Sequence, residues 1–262
     1  AMAINIIDLD SLYIHADTLI ATGPQEKKIL RGYYDVRIFK TDLRGKSDSL
    51  RLDQSTGLIK LLKLPLNRKE EQIFTASQKN AKNPVLWFGK SQMSGDKIFL
   101  TSDMKTKKLD SLKILGNSWI IEKDSISDTG FNQIKGGILD GAFEEGKLRE
   151  IEVNKNTEVI YYMYSDEDNE LIGIDKTTCS RLKMVTANNQ IEDITFFVSP
   201  DGDLYPDKDL PTNERKLEGF IWREEERPKS ILDLFSEEDN QFQPTEIQEM
   251  SIPEGFLEKE TD

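Results

Sequence analysis

The chain has 262 residues, 37% hydrophobic and 32% charged, with a net charge of −13. No run approaches the roughly 18 apolar residues that a membrane-spanning helix requires. One cysteine, Cys179, excludes an internal disulfide, and one histidine, His15, leaves too few His and Cys ligands for a metal centre of that kind. Charge is unevenly placed: residues 223–262 hold 4 Lys+Arg against 13 Asp+Glu, a net of −9, so the body is close to balanced and the end is acidic. No nucleic-acid partner is expected, because phosphate binding needs a basic patch. Ala1-Met2-Ala3 reads as a scar ahead of a mature segment, from which any leader or anchor has been removed.

In chain order, one phrase recurs: a small or acidic pair followed by alternating apolar residues. It is written Ala16-Asp17-Thr18-Leu19-Ile20, then Ser47-Asp48-Ser49-Leu50-Arg51-Leu52, then Gly95-Asp96-Lys97-Ile98-Phe99-Leu100. Looser copies follow at Gly137 to Phe143 and Cys179 to Met184. After each of the last four copies comes a polar turn and a second alternating run: Gln54 to Gly57 before Leu58–Leu62, Asp103 to Lys108 before Leu109–Leu115, Glu144 to Gly146 before Leu148, Ile151 and Val153, and Ala187 to Gln190 before Ile191, Ile194 and Phe196. Two period-2 runs joined by Gly, Asn, Asp or Ser predict a hairpin. Connecting strands rich in β-branched and aromatic residues lie between them, at Tyr33 to Phe39, Pro84 to Phe88, Ser118 to Ile121 and Glu158 to Tyr164. Ser199 to Pro206, with Gly202 and Pro206, reads as a tight turn closing the repeats. Helical periodicity is absent before residue 200, and the candidate helix is Ile231 to Phe235, with Ser230 as its N-cap. The chain is therefore expected to be all-β, with about a dozen or more antiparallel strands that curl, stack or form a solenoid.

Alternation puts Leu50 with Leu52, Ile98 with Leu100, Leu112 with Ile114, Ile151 with Val153, Leu182 with Met184, and Ile194 with Phe196, each pair on one strand face. If the units stack in register, these residues line one interior. That interior is either an ordinary dry core or a slot for something apolar and elongated, such as acyl chains. Catalytic signals are sparse. His15 reads as a packing residue and Cys179 as a small strand residue near a turn. Asp17, Asp48 and Asp96 recur with the fold unit, which favours a structural role bonding backbone at a turn. Ile134-Lys135-Gly136-Gly137 lacks the spacing of a phosphate loop.

The phrase, its polar turn, and the closing Leu112-Lys-Ile-Leu-Gly-Asn117 resemble the OstA-like, LptA-type domain of lipopolysaccharide transport. Asn83 to Gly89, Gln92 to Asp96, Phe131 to Gly136 and Gly219 to Arg223 resemble its large OstA-like branch. The resemblance covers about residues 5 to 222; the copies at 137 and 179 depart from the Asp motif, and the acidic tail lies outside it. It implies a β-jellyroll of stacked antiparallel strands, open at both ends, at residues 4–222, with a partly helical or mobile acidic tail at 223–262. It further implies a periplasmic, non-enzymatic protein without cofactor or metal. Lipid A acyl chains would lie along the apolar stripe, and end strands would pair with other transport proteins or with further copies of the chain. A structural or adhesive β-repeat module with a dry core is the rival reading, and a carbohydrate enzyme using an acidic pair trails both.

Overall fold

The computed structural model describes residues 1–7, 10–24, 27–187 and 190–235. Among these, the strands are β1 (Met2–Ile7), β2 (Asp10–His15), β3 (Thr18–Thr22), β4 (Ile29–Phe39), β5 (Leu43–Asp53), β6 (Leu58–Leu62), β7 (Val85–Phe88), β8 (Ser91–Ser94), β9 (Lys97–Ser102), β10 (Leu109–Lys123), β11 (Phe131–Glu144), β12 (Lys147–Tyr164), β13 (Leu171–Ala187), β14 (Gln190–Phe197) and β15 (Asp201–Tyr205). The protein is all-β, and every strand pairing is antiparallel. The main path runs β1-β2-β4-β5-β6-β9-β10-β11-β12-β13-β14, with β3, β7, β8 and β15 attached beside it.

Those attachments arise because the long strands β4, β5, β10 and β13 each pair with two short ones along one edge. In β5, Leu43 to Lys46 pair with β7 and Ser49 to Asp53 pair with β6. In β10, Trp119 to Glu122 pair with β8 and Leu109 to Leu115 with β9. In β13, Ile174 to Thr178 pair with β15 and Arg181 to Ala187 with β14. Every long strand thus turns a corner midway, and the sheet divides into two leaves. The first contains β1, β2, β7, β8 and β15, and the second contains β3, β6, β9 and β14.

The recurring phrase marks this corner. Ala16-Asp17, Ser47-Asp48, Gly95-Asp96, Gly136-Gly137 and Cys179-Ser180 all fall where pairing passes from one leaf to the other. The partner corners use positive φ, at Tyr34-Asp35, Gly116-Asn117, Lys155-Asn156 and Val198-Ser199. Asp17 N–H donates to Tyr34 O at 3.1 Å, Asp96 N–H to Gly116 O at 2.8 Å, and Ser180 N–H to Val198 O at 3.2 Å. Small residues are needed because the chains close in on each other: a Cβ on Gly95 would fall 2.3 Å from Ile114 Cγ2, and one on Gly136 2.4 Å from Val153 Cγ1. Asp48 bonds backbone as its position suggests, accepting from Leu64 N–H at 3.1 Å. Asp96 instead accepts from the side-chain amides of Asn83 and Asn117.

The inner faces of both leaves meet in one apolar core, which runs from Leu12 and Ile14 to Leu182 and Met184. The outer face of the second leaf is polar and carries ion pairs such as Lys113–Asp140 at 2.6 Å and Lys183–Glu150 at 2.8 Å. The first leaf differs: a second cluster of Trp119, Ile121, Ile160, Tyr162 and Ile174 covers its outer face and packs against Leu210 and Leu217. This leaf is therefore apolar on both faces, unlike the second. All four residues of Val85-Leu86-Trp87-Phe88 are buried, as a strand covered on both faces requires.

The cover is a strap formed by residues 206–235, which runs back across the first leaf from β15 toward β2. Two glutamines clamp it. Gln133 Nε2 donates to Arg215 O at 2.8 Å while its Oε1 accepts from Leu217 N–H at 2.9 Å. Gln92 Nε2 donates to Ile221 O at 2.8 Å, and its Oε1 accepts from Arg223 N–H at 2.7 Å. Beyond them Arg223 donates to Asn83 O and to Glu226, and Lys46 pairs with Glu226 at 2.9 Å. The strap's described part ends with Leu234 fully buried and Phe235 edge-on to the buried His15 ring at 5.1 Å.

The helix expected at Ile231 to Phe235 is present as a single 3₁₀ turn, Ile231–Leu234, boxed by Ser230 and Asp233. Two local expectations are corrected. Two short helices precede residue 200: α1 (Arg68–Ile73) and α2 (Ala76–Ala81) sit in the excursion between β6 and β7, each with a capping box, Asn67/Glu70 and Thr75/Gln78. Residues 201–205 are strand β15 instead of a turn, and the chain reverses at Val198-Ser199. The turn expected at Asn188-Asn189 and the tail from residue 236 lie outside the described residues.

Candidate functional site

The predicted stripe resolves into two neighbouring rows on the inner face of the second leaf. One runs Leu52, Ile59, Leu100, Leu112, Gly141, Ile151, Met184, Ile194, each directly opposite the next. The other runs Leu50, Leu61, Ile98, Ile114, Leu139, Val153, Leu182, Phe196 by the same pairings. All twelve predicted residues belong to these rows. Ten are no more than 3% exposed, while Ile194 and Phe196, on the terminal strand β14, are half-buried against the same core.

For most of its length the interior is closed by side chains. It gapes between Phe88, Met93, Ile120 and Ile134 of the first leaf and Leu148, Ile151 and Met184 of the second. Of the predicted residues, Ile151 and Met184 reach this cleft and the other ten do not line it. The enclosed room is about 50 Å³, inside a mouth of about 620 Å³ that includes open solvent. Roughly 150 Å³ is needed to hold one benzene-sized ring, so an elongated guest must part the leaves as it enters. Most of the residues missed from sequence belong to the first leaf, where inner positions on β7, β10 and β12 alternate with equally apolar outer ones.

The first leaf presents two successive rows to the cleft. The inner one is apolar: Met93, Ile120, Ile134 and Val159, each opposite the next, with Thr177 at its end. One step toward solvent stands a polar row of Ser91, Glu122, Asn132, Tyr161 and Asp175. Ser91 Oγ donates to Glu122 at 2.8 Å, Asn132 Oδ1 accepts from Tyr162 N–H at 2.9 Å, and Thr177 Oγ1 donates to Asp175 at 2.7 Å. Burial pushes the Tyr161 phenol up in pKa, and the charges of Glu122 and Asp124 push it further. Burial also raises the Asp175 carboxyl, against the opposing bond from Thr177. Lys90 stands at the rim.

These features define a two-leaved antiparallel β-protein whose leaves share an apolar interior that opens into an amphipathic mouth. No family model matches the chain, and no curated protein matches it in sequence. Among solved structures it is similar to LptH of Pseudomonas aeruginosa, described as the LptA-homologous periplasmic component of the lipopolysaccharide transport device. Identity is 12% and the TM-score 0.39, over 63% of this chain and 95% of that one.

Proposed function

We propose that this protein is a non-enzymatic, periplasmic lipid-binding and bridging component of lipopolysaccharide transport, which holds acyl chains between its leaves. The observation that carries the reading is the pair of apolar rows, one of which opens at Ile151 and Met184 into a mouth also lined by Phe88, Met93 and Leu148. Each methylene withdrawn from water contributes about 0.8 kcal/mol, so ten contribute about 8 kcal/mol without any charged contact. The terminal strands β1, β3, β14 and β15 each pair on one side within the described residues, and an open edge accepts a further strand. That supports pairing with another transport protein or a second copy. The sequence resemblance described above points the same way.

A photo-crosslinker placed at Leu148, in the cleft, tests the reading against one at Lys113, on the outer face. Labelled lipopolysaccharide is expected to crosslink at the first site and not the second. A folded protein that takes up no lipopolysaccharide overturns the proposal and favours the protein-binding β-module with a dry core. Charge at Ile98 or Ile114 is a poorer probe, because both are fully enclosed and such variants would test folding.

A further inference from the structure

The cleft is open toward β13 and shut toward β5. The rim of the first leaf changes character at the boundary. On the open side it is polar, at Ser91, Glu122 and Asn132. At the same level on the other side stand Phe88, opposite Ser91, and Leu43, opposite Phe88, both apolar and buried. At this boundary Phe88 meets Phe143 of the second leaf edge-on, with ring centroids 5.6 Å apart. The two rings are held differently. Phe88 is 9% exposed, and the carbonyl of the next residue, Gly89, accepts from Arg227 of the strap at 2.8 Å. Phe143 is half-buried and is the last residue but one of β11. The turn after it is tied down by surface ion pairs, Lys108 with Glu145 and Arg149 with Glu144, which contribute little. Past the pair, Leu86, Ile38 and Ile14 of the first leaf are fully enclosed, as are Ile59 and Leu100 of the second.

We propose that Phe88 and Phe143 form a gate inside the molecule, with Phe88 as the fixed post and Phe143 as the moving member. Closed, the gate confines an apolar chain to the open compartment over Met93, Ile120, Ile151 and Met184. Parted, it admits the chain to the apolar rows beyond, toward β9 and β6. This rests on the lipid reading above and adds to it how passage along the interior is controlled. An edge-to-face aromatic contact suits the role. It is strong enough to keep the gate shut most of the time and weak enough to break without unfolding either leaf. Phe143 has room to turn outward, because it already borders solvent at the end of its strand.

The test uses a phosphorylated, acylated aminosugar with a photoreactive diazirine at the end of its acyl chain. Adducts on the whole chain are mapped by mass spectrometry after a short exposure. In the unaltered protein they are expected at Met93, Leu148 and Met184, with few in β6 and β9. In Phe143→Ala the share in β6 and β9 is expected to rise about tenfold, roughly the factor that one edge-to-face pair supplies. Phe143→Leu keeps the core filled and loses the ring, so it should raise that share about threefold, and it is the variant to read if alanine does not fold. Gly95→Ala, which strains a corner at Ile114, should leave the pattern unchanged. The gate proposal fails, while the lipid reading stands, on any of three results: β6 and β9 labelled as readily as Met184 in the unaltered protein, no rise in the folded Phe143 variants, or an equal rise in Gly95→Ala. If the probe labels no interior residue of any variant, both fail.

Discussion

Replacing Gln133 by leucine should unlatch part of the strap while leaving the two leaves intact. Gln133 is fully buried on the outer face of β11. Its Nε2 donates to Phe131 O at 3.1 Å and Arg215 O at 2.8 Å, and its Oε1 accepts from Leu217 N–H at 2.9 Å. Leucine fills nearly the same space with none of these groups. It leaves the Leu217 N–H and the Arg215 carbonyl shut away without partners. Each such group costs roughly 1–3 kcal/mol, so the loss is about 2–6 kcal/mol against a total stability of order 5–15 kcal/mol. The Gln92 clamp holds the strap independently farther along, so opening should be local, around Leu210 to Leu217. Native-state hydrogen exchange read by mass spectrometry would show it: amides at 210–220 should exchange about 30-fold faster or more, since about 2 kcal/mol corresponds to that factor. Peptides from β9 and from residues 147–154 of β12 should change little. Unchanged exchange in the strap, or equal acceleration in the second leaf, would show that Gln133 does not act as a separate clamp.

Gly95→Ala should lower stability by about 1–3 kcal/mol in thermal or urea unfolding, because the new methyl meets both Ile114 Cγ2 and Gly116 O at the corner; an unchanged midpoint would show that the corner has slack. Burial raises the Glu226 pKa, but hydrogen bonds and charge from Arg223 and Lys46 outweigh it and bring it from 4.5 down to about 2. A carboxylate whose folded pKa is depressed stabilises fully above its unfolded value and loses that contribution as pH falls. The melting-temperature gap between the natural protein and Glu226→Gln should therefore be constant above about pH 5 and close as pH falls from about 4.5 toward 2; a gap independent of pH would contradict the pairing. Cys179 is buried, burial pushes its thiol up in pKa, and Sγ contacts Arg181 O at 3.2 Å. Iodoacetamide at pH 8 should label it slowly in the folded protein and readily in denaturant, and labelling at the rate of a free thiol would mean that the corner opens.

Period-2 patterning made the strands legible, because alternation survives wherever one face is wet. It made Leu50, Leu52, Ile98 and Leu100 readable as one face, and the repeated small-Asp pair readable as a unit of the fold. What the pair does was not legible: the corner exists only once two strands turn together, and Tyr34-Asp35 and Lys155-Asn156, which make the partner corners, bear no glycine to announce the positive φ. The first leaf was misread for the opposite reason. Val85-Leu86-Trp87-Phe88 and Trp119-Ile120-Ile121 have no polar alternation, and a run buried on both faces does not say what covers it. The strap supplies that cover from more than 80 positions away. The polar row was invisible in sequence because its five members are scattered from residue 91 to residue 175 and meet only through strand register. Asn67-x-x-Glu70 and Thr75-x-x-Gln78 were readable as helix starts, but neither is followed by an apolar stripe.

The strap makes the two leaves mechanically unequal. It is fastened at Gln133, Gln92, Arg223 and Leu234, and so braces the first leaf across almost its whole width, as a batten stiffens one board. Among the described residues the second leaf has no such brace. Whatever widens the gap at Met93 and Met184 must then do so by swinging the unbraced leaf about the line of corners, with the stiffened one as the fixed wall.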